Sequence, residues 1–226
     1  MDANSYRRTA MTPEQVEEHD RVFGALAQAT RELVDAGMHT AVDHAEVEEV
    51  TAQVEALTAR LRKEADPGYL GVEIGPDGSH RNHGNAVVGL RNPFAPPLRI
   101  RTTDDGTASA SFHLGAAYEG PPGLVHGGVS SLILDQMLGQ AAAAGGAPGM
   151  TARLDLAYRR PTPLGDLDAK AWIHDVDGHK TKVRGYIQGP DGEPTVEAEG
   201  LFILPRWARE AMAAAKAREA RGHAFE

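Results

Sequence analysis

The sequence predicts an α+β fold, an antiparallel sheet interrupted by one long helix and preceded by a helical extension. Three observations predict it. From Thr12 to about Lys63 apolar residues recur at three- and four-residue spacing, as on one face of a helix. Past Pro97 the period falls to two, in short runs with Asp-Gly pairs between them. Within those runs one segment, residues 127 to 144, returns to helical spacing.

Taken in order, Val16, Phe23, Leu26 and Leu33, then Val47, Val50, Val54, Leu57 and Leu61, mark one or two amphipathic helices, with a break expected near Asp35-Ala36-Gly37. Asp66-Pro67-Gly68 ends that extension (1–65) with turn chemistry. Gly and Pro stay frequent over 66–97, which reads as a loop-rich connection. The main domain, 98–205, then holds its strands. In TASASFHL (107–114), Ala108, Ala110, Phe112 and Leu114 share one face and Thr107, Ser109, Ser111 and His113 the other. Residues 151–160, 168–176, 180–188 and 195–204 read similarly. Asp105-Gly106, Asp177-Gly178 and Asp191-Gly192 are expected as two-residue hairpin turns, giving a meander. The tail, 206–226, is rich in alanine and charge and is expected to be a short surface helix as far as Arg221.

Composition removes several functions. The net charge of −9 offers no long-range attraction for nucleic acid or anionic lipid. No segment has the length of apolar sequence needed for a secretory signal or a membrane span, so a cytoplasmic protein is expected. With no cysteine in the chain, thiolate metal sites, disulfides and cysteine nucleophiles are excluded, and chemistry falls to oxygen and imidazole groups.

One acid is out of place. Asp135 sits in the apolar run GLVHGGVSSLILDQMLG (123–139), nine residues after His126. At 100° per residue it shares a face with Gly128, Ser131, Gly139 and Ala142, small residues that let a neighbouring sheet or chain approach closely. Asp135 is therefore expected to be largely removed from water, where a carboxylate requires a partner or a task. Gly127 and Gly128 leave the backbone N–H groups at the helix start unshielded, a site for developing negative charge. A carboxylate beside an oxyanion site suggests acyl transfer to water.

The pattern His126-Gly127-Gly128, Asp135, and GMTARLDLAYRRPTPLG (149–165) resembles the hotdog-fold acyl-CoA thioesterases, in particular the phenylacetate-pathway branch. The resemblance covers roughly residues 85 to 205. It implies a sheet wrapped around one long central helix and hydrolysis of an acyl-CoA to free acid and CoA. By the same resemblance Asp135 is general base or nucleophile, and the Gly127 N–H polarises the thioester carbonyl. Thr151 orients the water or the acid, and His126 shapes the turn and assists at the oxyanion end. Gly128 and Ser131 would line the substrate, and Arg159 and Arg160 could hold the phosphates of coenzyme A. No metal or organic cofactor is expected, coenzyme A entering only with the substrate.

Other features carry less. His80 with His83, and His39 with His44, lack a third ligand at metal-site spacing. GPDGS (75–79) and GPDGE (189–193) lack the Gly-Lys-Ser/Thr ending of a phosphate loop and read as turns. Lys180, Lys182 and Arg184 add to the basic cluster, though charge also serves to defend a sheet edge. Since Gly127 and Asp135 lie eight residues apart on one helix, about 12 Å, both cannot act on one carbonyl within a chain, so a dimer or tetramer is expected. Two other functions stay open: a hotdog hydratase or dehydratase, and a non-catalytic acyl-CoA sensor or scaffold.

Overall fold

The computed structural model describes residues 6–66 and 68–210, and the chain divides into two compact units, Met1–Pro97 and Leu98–Glu226. Pro67 of the expected turn and residues 211–226 of the expected tail helix lie outside the described residues; residues 206–210 are helical.

In the first unit, α1 (Pro13–His39) begins at a capping box in which Thr12 and Gln15 satisfy each other's backbone N–H groups. The helix runs on through Gly37, and the break falls instead at residues 40–43. A glycine in the last turn weakens a helix without ending it. The next helix starts where Asp43 caps the Glu46 N–H, opening α2 (His44–Arg62). Three short strands absent from the sequence-based expectation form a small sheet, with β2 (Val72–Ile74) between β1 (Tyr6–Arg8) and β3 (His80–Arg81). The stretch 75–79 closes the β2–β3 hairpin, Gly75 N–H bonding to the Ser79 carbonyl. Beneath it the buried Arg81 pairs with Glu73 and Asp20. Burial, reinforced by the neighbouring Arg81 guanidinium, holds the His83 imidazole below its ordinary pKa.

The second unit is a six-stranded antiparallel sheet closed around α3 (Gly127–Ala144). Its strands are β4 (Arg101–Thr103), β5 (Thr107–Leu114), β6 (Met150–Tyr158), β7 (Gly165–Asp177), β8 (Lys180–Gln188) and β9 (Pro194–Ile203). α3 packs against all six. Among the larger residues that face it, such as Phe112, Val183 and Phe202, stand many small ones: Ala108 and Ala110, Ala169 and Ala171, Gly185, Ala198 and Gly200. Their lack of bulk leaves room for Ile133, Leu134, Met137 and Leu138 of the helix, each fully buried. This is the hotdog arrangement that the resemblance implies.

Two expectations are corrected. The strand order is β4-β5-β7-β8-β9-β6, so the sheet is not a simple meander: β6, which follows the helix, pairs with the last strand and forms an edge. A helix lying across the sheet delivers the chain to the far side, where only β9 offers an open edge. The hairpin turns also differ in length. Pairing of Thr103 with Thr107 leaves three residues, with Gly106 at φ +79. The β7–β8 turn is Gly178-His179, one residue later than expected, and β8–β9 is joined by the five residues 189–193. Each turn still places glycine at positive φ, which is the property that the Asp-Gly pairs signal.

Gly185 shows how tight the concave face is: a Cβ there would meet the Lys170 carbonyl oxygen at 2.7 Å and Ala171 Cβ at 3.1 Å. Because backbone must yield, Gly185→Ala is expected to lower stability by about 1–3 kcal/mol in urea denaturation. An unchanged midpoint would show that β7 and β8 are less closely apposed than described.

Candidate active site

The site is built from one helix and one edge strand. His126 is the N-cap of α3, and its Nδ1 accepts the Gly128 N–H at 3.0 Å. A backbone N–H can only donate, so the neutral imidazole carries its proton on Nε2. The bond also consumes Gly128 as a donor. Among the described residues the Gly127 N–H has no acceptor, and it stands at the positive end of the α3 dipole. Only one of the two glycines is therefore free to bind an oxyanion.

Gly127 is also held by its carbonyl, which accepts from Tyr158 Oη at 2.8 Å and from Ser131 Oγ at 3.1 Å, while those two hydroxyls lie 3.0 Å apart. The Tyr158 ring lies close against the glycine: a Cβ at Gly127 would be 3.2 Å from Oη and 3.3 Å from Cε1. Ser131 thus braces the first turn of the helix. Tyr158, overlooked as a site residue in the sequence, does the same from the strand.

Two turns along α3, Asp135 Oδ1 accepts the Thr151 hydroxyl at 2.7 Å. Oδ2 is left to take a proton or to attack. Asp135 was expected to be largely buried, yet it is half-buried, because it faces β6, beyond which the described residues place no further strand. The small-residue face does allow a close approach: a Cβ at Gly139 would meet Phe202 at 3.4 Å.

Thr151 and Tyr158 reach the same helix because of a bulge. An odd separation along a regular strand puts two residues on opposite faces, but the β6–β9 register slips between Thr151 and Arg153. Thr151 therefore pairs with Phe202 and Tyr158 with Val196, both buried against α3. The structure brings together Asp135 with Thr151 at one end of β6, and Gly127, Ser131 and His126 with Tyr158 at the other.

The arginines stand apart. Arg159 Nε bonds Glu197 at 2.8 Å, and Arg160 bonds Asp191 at 2.8 Å. Lys182 and Arg184 are likewise paired, with Asp175 and Glu199. Arg159 follows the outward alternation of Asp155 and Ala157, on the sheet face turned away from α3. Four of the five side chains of the basic cluster are thus paired with carboxylates. Of the histidines weighed as ligands, His39 bonds the Asp35 carbonyl and His83 sits against Glu73. Among the described residues no group of three His, Asp or Glu is placed to hold a metal, and no helix is long and apolar enough to cross a membrane.

The sequence profile of the thioesterase superfamily matches residues 122–193, a span that includes His126, Gly127, Asp135 and Thr151. The crystal structure of a thioesterase superfamily protein is 36% identical, with a TM-score of 0.73, the match covering 80% of this chain and 90% of that one. The acyl-coenzyme A thioesterase THEM4 of Mus musculus is 37% identical over 95 residues, 41% of this chain and 40% of the relative. That of Xenopus laevis is 36% identical over 98 residues, 41% and 42% of the two chains. The match thus spans about two-fifths of the length of these curated relatives.

The contact between Gly127 and Tyr158 can be measured as a coupling. Gly127→Ala is expected to lower stability by about 1 kcal/mol in the wild-type background and to cost nothing once Tyr158→Ala has removed the ring. Equal costs in the two backgrounds, by urea denaturation, would mean that the ring does not rest on the glycine.

Proposed function

The chain belongs to the thioesterase superfamily, and on that premise we propose that it hydrolyses an acyl-coenzyme A thioester to free acid and coenzyme A. The observation that carries the reading is the Asp135–Thr151 hydrogen bond, an oriented carboxylate on a helix whose first N–H is unused. The acyl-coenzyme A thioesterases among the relatives support the substrate class.

The Gly127 N–H polarises the thioester carbonyl and receives the charge that develops on its oxygen. Asp135 Oδ2 removes a proton from water as the water oxygen bonds to the carbonyl carbon. Collapse of the tetrahedral intermediate breaks the carbon–sulfur bond, and the proton held by Asp135 passes to the departing thiolate. In the alternative route Oδ2 itself bonds to the carbonyl carbon, expels the thiolate and forms a mixed anhydride that water then cleaves. Both routes use the same two groups and need neither a metal nor an organic cofactor.

The two groups must come from different chains. α3 is unbroken from Gly127 through Asp135, so they stand about 12 Å apart. β6 supplies the remedy, being a nine-residue edge strand that would otherwise expose unpaired backbone groups. Pairing β6 with its counterpart in a second copy, antiparallel about a two-fold axis near residues 154 and 155, sets residue 151 opposite residue 158. The Asp135–Thr151 end of each chain then meets the Gly127–Tyr158 end of the other, giving two sites per dimer. The second copy also covers the side of Asp135 that a single chain leaves open. In this reading Arg159 and Arg160 can take coenzyme A phosphates only by exchanging their carboxylate partners.

The test is thiol release over a panel of aryl and fatty acyl-CoA substrates. Wild-type protein should turn over at least one of them, and Asp135→Asn should lower kcat by about 100-fold or more with little change in KM. Thr151→Ala should lower kcat by roughly tenfold and Thr151→Ser hardly at all, because only the hydroxyl is used. A folded Asp135→Asn protein with most of its turnover would remove the carboxylate from the mechanism, and equal damage from both Thr151 replacements would reduce Thr151 to packing.

A further inference from the structure

In the first unit, α2 carries Val47, Val50, Val54, Leu57 and Leu61 at alternating spacings of three and four. This is the 3.5-residue repeat of a coiled-coil seam. None of the helix's residues is buried, Leu57 and Leu61 are 52% and 60% exposed, and no other element of the described residues packs along it. An isolated helix of this length is marginal in water, and an exposed apolar stripe marks an interaction surface.

We propose that α2 pairs with α2 of a second copy of this chain, antiparallel and about a two-fold axis. Charge sets the orientation. Glu46, Glu48 and Glu49 lie in the first turns, and Arg60, Arg62 and Lys63 at the end. A parallel pair would place acid on acid and base on base, whereas an antiparallel pair places acid on base at both of its ends. The flank of the seam is self-complementary. Glu46, Gln53 and Arg60 recur there at seven-residue intervals. An axis through Gln53 sets Glu46 against the partner's Arg60 at both ends and Gln53 against the partner's Gln53. In the same register Val47 layers with the partner's Leu57, and Val50 with the partner's Val54, so the seam closes without a slip. This contact is separate from β6 and does not depend on the activity proposed above.

The chain has no cysteine, so a single introduced thiol is unique. In the full-length protein, Gln53→Cys should cross-link to itself with a short bis-maleimide. Glu46→Cys alone and Arg60→Cys alone should not, because antiparallel copies hold like positions fourteen residues apart, about 21 Å along the helix. An equimolar mixture of the two should cross-link to each other. Adding Val54→Glu, which puts a charge into the seam, should lower the Gln53→Cys yield by about tenfold or more. Since no residue of α2 is buried in the single chain and none is Phe, Tyr or Trp, the near-ultraviolet circular dichroism of aromatic side chains such as Trp172, and its melting curve, should be unaltered and serve as the folding control. Self-cross-linking of Glu46→Cys would mean a parallel pair. Failure of Gln53→Cys, or a yield indifferent to Val54→Glu, would mean that something other than a second copy covers the stripe. Any of the three overturns the proposal.

Discussion

A helix is a ruler, and α3 sets the scale of everything around it. Its eighteen residues run unbroken from Gly127, the proposed oxyanion donor, to past the acid at Asp135. No rotamer can close the gap between them. The chemistry therefore depends on what lies beside the helix, and the sheet is shaped accordingly. Alanine and glycine on its concave face let the large side chains of α3 sink in. β6 then runs along the helix flank, touching the donor end through Tyr158 and the acid end through Thr151.

The same strand is the open edge of the sheet, and these two facts belong together. An edge strand that connects both halves of a site is the element through which a second copy can complete it. The half-buried state of Asp135 agrees with this: a carboxylate in the shallow flank of one chain keeps its solvation until a neighbour covers it. The polar residues of the outer sheet face act differently. Arg159, Arg160, Lys182 and Arg184 each meet a carboxylate at 2.7 to 3.2 Å, so the strongly acidic chain has little unpaired cationic surface there.

Much of the second unit was legible in the sequence because its signals are local. Period-two alternation marked residues 107–114 and 180–188, and helical spacing behind a His-Gly-Gly turn marked 127–144; all three limits agree with the structure. What escaped is non-local or sub-periodic. Nothing in a strand's own residues says that β6 will pair with β9 rather than β7. The bulge at Thr151–Arg153 shifts the face of every residue before it, which hid Tyr158 as a partner of Gly127 although it lies within the matched stretch 149–165. The strands β1, β2 and β3 have three, three and two residues, too short for any period to register. The resemblance, not the pattern of residues, pointed to Thr151, which hydrogen-bonds the acid, while the acid's exposure was not legible, since exposure depends on an edge that one chain leaves open.

The central claim is that the acid and the oxyanion donor act across two chains, and mixing two inactive variants tests it directly. Asp135→Asn removes the base, and Gly127→Pro removes the N–H at a position where proline suits both the first turn of the helix and the extended His126 before it (φ −61, ψ 132). When the two are unfolded and refolded together, random pairing makes half the dimers mixed, and in each of these one site collects both defects and the other none. Thiol release should then recover to about a quarter of the wild-type rate, from two preparations that separately show almost none. Absence of recovery in confirmed, folded mixed dimers would contradict the account, because it would place the acid and the donor of each working site on the same chain.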